Sequence, residues 1–242
     1  MSENTIALVT GANKGIGYEI AAGLGARGWK VGVGARDDAR RETAVEKLRA
    51  NGVDAFGVPL DVTDDASVAA ATQLLEEQGG LDVLVNNAGV TGGMPQNPTG
   101  VSIDQMRVAV ETNVFGVVRV TNAMLPLLRR SAAPRIVNMS SSVGSLARQT
   151  ATDDPLAVGP ISVAYSPTKT YLNAVTIQFA KELRDTSILI NLGCPGYVAT
   201  DLNGFSGVRT PEEGARIAIS LASLPDDGPT GGYFEDAGVI PW

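Results

Sequence analysis

Short apolar runs alternate with longer segments of mixed character along this chain. Residues 5–10 (TIALVT), 30–35 (KVGVGA), 54–60 (DAFGVPL), 81–86 (LDVLVN), 135–140 (RIVNMS) and 187–193 (SILINLG) are β-branched or apolar nearly throughout. Parallel strands covered on both faces read this way. A weaker seventh run is 231–235 (GGYFE). The segments between carry helical signals. Residues 39–52 (ARRETAVEKLRANG) end in Asn51-Gly52, a C-cap pattern, and 64–80 open with acids and close on two glycines. Residues 102–130 hold one or two helices, and 163–184 one long helix. Thr210-Pro211-Glu212-Glu213 opens another, with proline in the first turn. The alternation predicts an α/β doubly wound Rossmann fold: a mostly parallel central sheet of about seven strands with helices on both faces. No linker or repeat divides it, so residues 1–242 are expected to form a single domain.

Composition narrows the function classes. The net charge of −7, with no cluster of Lys and Arg, excludes nucleic acid as the expected partner. The N-terminus shows no basic, apolar leader, and no eighteen-residue apolar run predicts a membrane span. Cys194 is the one cysteine, so no internal disulfide forms, which is compatible with a cytoplasmic protein. The chain has no histidine. Histidine-based triads are therefore excluded, and no metal site is expected.

The first strand runs into TGANKGIG (10–17), with glycines at 11, 15 and 17. A strand that turns sharply into a helix, with its backbone close to a pyrophosphate, has no room for Cβ atoms. The helix N-terminus then offers N–H groups and a positive dipole end. On this stretch alone, a purely structural turn or a methyltransferase loop fits as well. A Walker loop does not, since Gly-Lys-Ser/Thr is missing at the required spacing.

The second strand ends in GARDDARR (34–41). An acid at the strand end favours a ribose 2′-hydroxyl; here Ala35 stands there, followed by Arg36, with Arg40 one turn on. Two guanidinium groups favour a 2′-phosphate, hence NADP(H) over NAD(H). Asp37 and Asp38 would oppose a phosphate if they pointed inward, and the alternative is a solvated, mixed-charge helix start.

AYSPTKTYLNAV (164–175) places Tyr165 and Lys169 four apart, on one helix face. A free phenol has a pKa of about 10, so it needs help to move protons near neutrality. Tyr171 is off that face and reads as packing, and Cys194 reads as a buried apolar residue.

TGANKGIG, NNAG (86–89), Asn113 in TNVFG, NMSSSVG (138–144), YSPTK (165–169) and CPGYVATD (194–201) occur in this order. Together they resemble the short-chain dehydrogenases/reductases of the Ser-Tyr-Lys type. The likeness covers essentially the whole chain, and its details resemble the carbonyl-reductase and plant menthone-reductase branch. It implies an NADPH-dependent reduction of an aldehyde or ketone to an alcohol. Gly11, Gly15, Ile16 and Gly17 would hold the pyrophosphate, and Asn13, Lys14, Arg36 and Arg40 the 2′-phosphate end. Asp61 and Val62 would meet the adenine, and Asn87, Ala88 and Gly89 the ribose. Val198 and Thr200, after Pro195-Gly196, would hold the nicotinamide amide. Tyr165 would donate the proton, with its pKa lowered by Lys169, which also reaches the nicotinamide ribose. Ser141 would bond the substrate oxygen, and Asn113 would kink its helix and hold a water toward Lys169.

Ser141 is preferred over Ser140 and Ser142 by the family's serine pattern and by alternation with Met139. Tyr165 lies twenty-four positions further on, more than in many members. The extra stretch, 148–160, is a short insertion, shorter than that of the carbonyl reductases, which leaves monomer and homo-oligomer both open. Met94, Tyr197 and Phe205 follow strand ends and are expected in the substrate pocket, with a satellite apolar cluster as the alternative. Residues 201–210 form a small lid. The competing functions are alcohol oxidation as the physiological direction and an NADP-binding sensor without turnover.

Overall fold

The computed structural model describes residues 5–242, so the reading of the first four residues lies outside the described residues. The chain runs through β1 (Ile6–Thr10), α1 (Gly15–Gly25), β2 (Lys30–Ala35), α2 (Asp38–Ala50), β3 (Ala55–Pro59), α3 (Asp65–Glu77), β4 (Val83–Asn86), α4 (Ile103–Val110) and α5 (Gly116–Leu128). It continues through β5 (Arg135–Met139), α6 (Leu146–Thr150), α7 (Ser166–Glu182), β6 (Leu189–Gly193), α8 (Pro211–Ala222), β7 (Tyr233–Glu235) and β8 (Gly238–Val239). The sheet order is β3-β2-β1-β4-β5-β6-β7-β8. The first seven strands are mutually parallel, and β8 turns back antiparallel on β7. The eighth strand exceeds the expected seven. Two exposed residues carry no periodicity, so only pairing defines it.

Alternation along β1 explains the layers. Ala7 and Val9 join a core with Ile20 and Leu24 of α1, Val45 and Leu48 of α2, and Ala218 of α8. Ile6 and Leu8 face the other way, toward Leu75 of α3, Met124 and Leu128 of α5, and Phe179 of α7. A period of two thus feeds both faces of a fully buried strand. Two polar side chains interrupt the second core. Asn86 Nδ2 donates to Thr121 Oγ1 (3.1 Å) and Asn138 Oδ1 (2.8 Å), and Asn138 Nδ2 donates to Thr176 Oγ1 (2.9 Å). This ladder pins α5 and α7 to β4 and β5, directly below the loops that carry the site.

Strand order reverses between β1 and β4, and the crevice opens outside the carboxyl ends of these strands. The helical stretch expected over 102–130 is two helices joined by a π turn, Glu111–Phe115. The long helix begins at Ser166 rather than 163, because Pro167, without an N–H, sits in its first turn. Residues 148–160 are more ordered than a polar insertion suggests. They finish α6 and make a 3-10 turn, Pro155–Val158, tied by the Arg148–Asp154 ion pair at 2.7 Å. No helix among the described residues is long and apolar enough to cross a membrane.

Candidate active site

The glycine loop leaves β1 and enters α1 with no space to spare. A Cβ at Gly17 would run into the Gly11 carbonyl oxygen and lie 2.5 Å from Asn87 Nδ2. Gly11 and Gly15 have φ of 66° and 57°, which favour glycine. Asn87 staples the β4 loop to this turn. Its Nδ2 donates to Thr10 O (3.0 Å) and Gly11 O (3.3 Å), while the N–H groups of Asn87 and Ala88 donate to Thr10 Oγ1. The result is a backbone-lined cradle at a helix N-terminus, the chemistry a pyrophosphate requires.

At the end of β2, the two acids that complicated the phosphate reading have partners. Asp37 caps α2, accepting from Arg40 N at 2.9 Å, and Asp38 pairs with the buried Arg41 at 2.7 Å. Arg36 remains exposed, close enough to Asp61 to stabilise its carboxylate. Burial pushes Asp61 up, but hydrogen bonds from Thr63 and the charges of Arg36 and Arg119 outweigh it and hold the carboxyl below its usual range. The start of α2 is therefore of mixed charge, with Arg36 exposed beside it. Lys14 Nζ lies 2.7 Å from Asp201 Oδ2.

Beyond β5, three neighbouring serines separate in role. The Ser140 hydroxyl is buried and donates to Asn173 Oδ1 at 2.6 Å. The Ser142 N–H donates to Cys194 Sγ at 3.1 Å. The Ser141 hydroxyl is the one hydrogen-bonded to the Tyr165 phenol. Tyr165 is the residue just before α7, and Lys169 follows one turn later, 5 % exposed. Lys169 Nζ donates to Met139 O at 2.7 Å and stands 5.5 Å from the Tyr165 ring centroid.

Residues 5–208 match the family model described as short chain dehydrogenase. The chain belongs to that family. It is similar to carbonyl reductase [NADPH] 1 of Mus musculus, 36% identical, covering 100% of this chain and 99% of that one. It is also similar to (+)-neomenthol dehydrogenase of Capsicum annuum, 30% identical over 94% of each. Among solved structures, salutaridine reductase from Papaver somniferum matches with a TM-score of 0.84 and 31% identity, covering 96% of this chain and 100% of that one.

Charge balance within the short chain dehydrogenase site departs from the expectation that Lys169 acidifies Tyr165. Burial of the phenol end pushes Tyr165 above its ordinary value, the neighbouring Cys194 pushes the same way, and the Ser141 bond only partly offsets them. Burial also pushes Lys169 down, to about 8, against an upward influence of Cys194. The cause is shared: an enclosed site penalises charge on either group. Asn113 lies inside the π turn with no exposed surface. Its amide, however, is engaged by protein: Nδ2 donates to Val90 O (2.8 Å) and Thr168 Oγ1 (3.0 Å), and Oδ1 accepts from Val90 N (2.8 Å). It ties the β4 loop, with Gly89, to the start of α7.

Pro195 and Gly196 form the turn after β6. Arg209 Nη1 donates to Pro195 O at 2.9 Å, and a single bridge joins Val198 to Arg209. The segment 201–210 is thus anchored at its far end. Within it lies a 3-10 turn, Asp201–Asn203, opened by a capping box at Thr200. A Cβ on Gly15 would meet Thr200 Cγ2 at 3.5 Å, so the glycine loop and the start of this segment approach each other at Gly15 and Thr200. Met94, Tyr197 and Phe205 are all exposed. Met94 belongs to the loop whose Gln96 bonds Val163 and Ala164, just ahead of Tyr165. Tyr197 bonds Ser206 of the 201–210 segment at 2.6 Å. Asn173, Gln96 and Asp201 escaped the sequence reading. Only Asn173 had a usable signal, four residues beyond Lys169 on the same helix face.

Proposed function

We propose that this protein is an NADPH-dependent carbonyl reductase that reduces an aldehyde or ketone, a small-molecule substrate, to an alcohol in the cytoplasm. The observation that carries the reading is the convergence of Ser141, Tyr165 and Lys169 at the carboxyl ends of the strands, beside a glycine cradle shaped for a pyrophosphate. The free, buried Cys194 fits a reducing compartment. The mouse relative's name states the same reaction class and cofactor.

The residues present fit the dinucleotide. Gly11, Gly15, Ile16 and Gly17 hold its pyrophosphate, Arg36 and Arg40 with Asn13 and Lys14 its 2′-phosphate, and Asp61 with Val62 its adenine. Asn87, Ala88 and Gly89 line the adjoining ribose, and Pro195, Gly196, Val198 and Thr200 the nicotinamide end. Bound there, a reduced nicotinamide supplies the hydride for the carbonyl carbon. Ser141 and Tyr165 bond the substrate oxygen and orient the carbonyl. Tyr165 delivers the proton. Its raised pKa keeps the phenol protonated before the reaction, the form a donor needs. Charged Lys169, in turn, stabilises the phenolate left after transfer.

The test is NADPH oxidation with a panel of ketones, diketones and quinones. Tyr165→Phe should lower the rate about a hundredfold or more while NADPH still binds. Retention of most of the activity by Tyr165→Phe overturns the assignment. Tight NADPH binding by the parent with no turnover across the panel supports a sensor instead.

A further inference from the structure

The last strands, beyond the 5–208 stretch that the family model matches, fold back beneath the serine loop. Tyr233 begins β7 and has no exposed surface. Its ring packs in a small apolar cluster with Val117, Leu172, Leu192, Cys194 and Ile240. Phenylalanine would fill that space without burying a polar atom. The hydroxyl therefore needs an account, and the structure supplies one: it donates to the backbone carbonyl oxygen of Ser141.

That carbonyl also accepts from Gly144 N at 2.8 Å, in the 3-10 turn Ser142–Gly144. Two donors on one carbonyl fix the plane of the peptide that follows Ser141. Asn173 Nδ2 donates to Gly144 O at 3.3 Å, and a Cβ on Gly144 would lie 3.0 Å from the Lys169 backbone. The chain end completes the brace. The Trp242 ring lies 5.6 Å from that of Tyr233, Ala147 N donates to Trp242 O at 2.8 Å, and Ser145 Oγ donates to Pro241 O at 2.5 Å.

We propose that Tyr233 is a positioning residue for the carbonyl reduction: its buried phenol fixes the Ser141 peptide and so aims the Ser141 hydroxyl at the place the substrate oxygen occupies beside Tyr165. This rests on the roles of Ser141 and Tyr165 given above. Ser141 is extended and immediately precedes the 3-10 turn, with φ −159° and ψ 148°. A rotation of its peptide would swing the hydroxyl away from Tyr165 while leaving the cofactor cradle, on the other side of β4, in place.

The experiment compares the parent with Tyr233→Phe, Ile240→Val, Ser141→Ala and the double variant Ser141→Ala/Tyr233→Phe. It measures kcat and carbonyl KM at saturating NADPH, the NADPH Kd by nicotinamide fluorescence, and the thermal midpoint. Tyr233→Phe should lower kcat about tenfold, because small misplacements of an oxyanion donor are costly, with the NADPH Kd unchanged. Ile240→Val disturbs the same cluster without touching the hydroxyl and should leave kcat unchanged. In the Ser141→Ala background, Tyr233→Phe should change kcat by less than about twofold, since a residue acting through Ser141 has nothing left to aim. Trp242→Leu removes the ring against Tyr233 and should give a smaller kcat loss that also vanishes in Ser141→Ala. It serves as the probe if Tyr233→Phe does not fold. Full kcat in Tyr233→Phe, or an equal loss with and without Ser141, overturns the proposal. An active Tyr165→Phe would instead remove the reading on which it stands.

Discussion

Asn113 offers a quantitative test of how the site is held together. Replacing it with alanine withdraws three hydrogen bonds: two to the Val90 peptide, both 2.8 Å, and one to Thr168 Oγ1 at 3.0 Å. Thr168 retains its own bond to Tyr165 O at 2.6 Å, so the hydroxyl is not orphaned. Val90 loses partners for both its N–H and its C=O. Each buried orphan costs about 1–3 kcal/mol, and Val90 is only partly buried, so water recovers some of that. The expected loss is about 3 kcal/mol, a drop in melting temperature of about 6–12 °C for a chain of this size. Thermal melts followed by circular dichroism measure it. Asn113→Asp should be no better near neutral pH, because a carboxylate offers Val90 O no proton. It should partly recover on acidification, when the carboxyl regains a donor. A melting temperature unchanged in Asn113→Ala would refute the view that this amide is a structural tie, and would return it to a role centred on water.

Two further predictions concern charge. Lys169 has its pKa lowered to about 8, so between about pH 8 and 10.5 the folded protein binds fewer protons there than the unfolded chain. The burial penalty is full below pH 8 and is relieved as pH rises. In urea titrations the parent should therefore gain roughly 3 kcal/mol relative to Lys169→Met between pH 7.5 and 10.5; a gap that does not change with pH contradicts this. At the rim where we propose the 2′-phosphate binds, Asp37 and Asp38 have partners and Arg36 is exposed. Arg36→Glu should weaken NADPH binding about tenfold or more while barely changing NADH, read by fluorescence titration; equal loss for both cofactors would place Arg36 elsewhere.

Much of the fold was legible because parallel strands buried on both faces are apolar throughout, a pattern that survives without any knowledge of neighbours. The cradle was legible for a related reason. Gly11 and Gly17 sit where a Cβ would strike Ala88 or the Gly11 carbonyl, and such local steric demands leave their mark on residue type. Tyr165 and Lys169 lie one turn apart on a single helix, so spacing alone placed them together.

What the residue order did not determine was everything set by distant contacts. Which of three serines faces Tyr165 depends on Asn173 taking Ser140 and Cys194 taking Ser142. Whether Asp37 and Asp38 face the cofactor depends on a helix cap and on Arg41. The direction of the Tyr165 pKa depends on enclosure, which only the packed site creates. The sequence by itself determined the strand and helix alternation, the glycine turn and the Tyr-Lys spacing, because local sterics and periodicity act over a few residues. Only the tertiary structure decided the partner of each polar group. Burial makes every such group take one, and the nearest candidate in space, as between Tyr233 and Ser141, can lie far away along the chain.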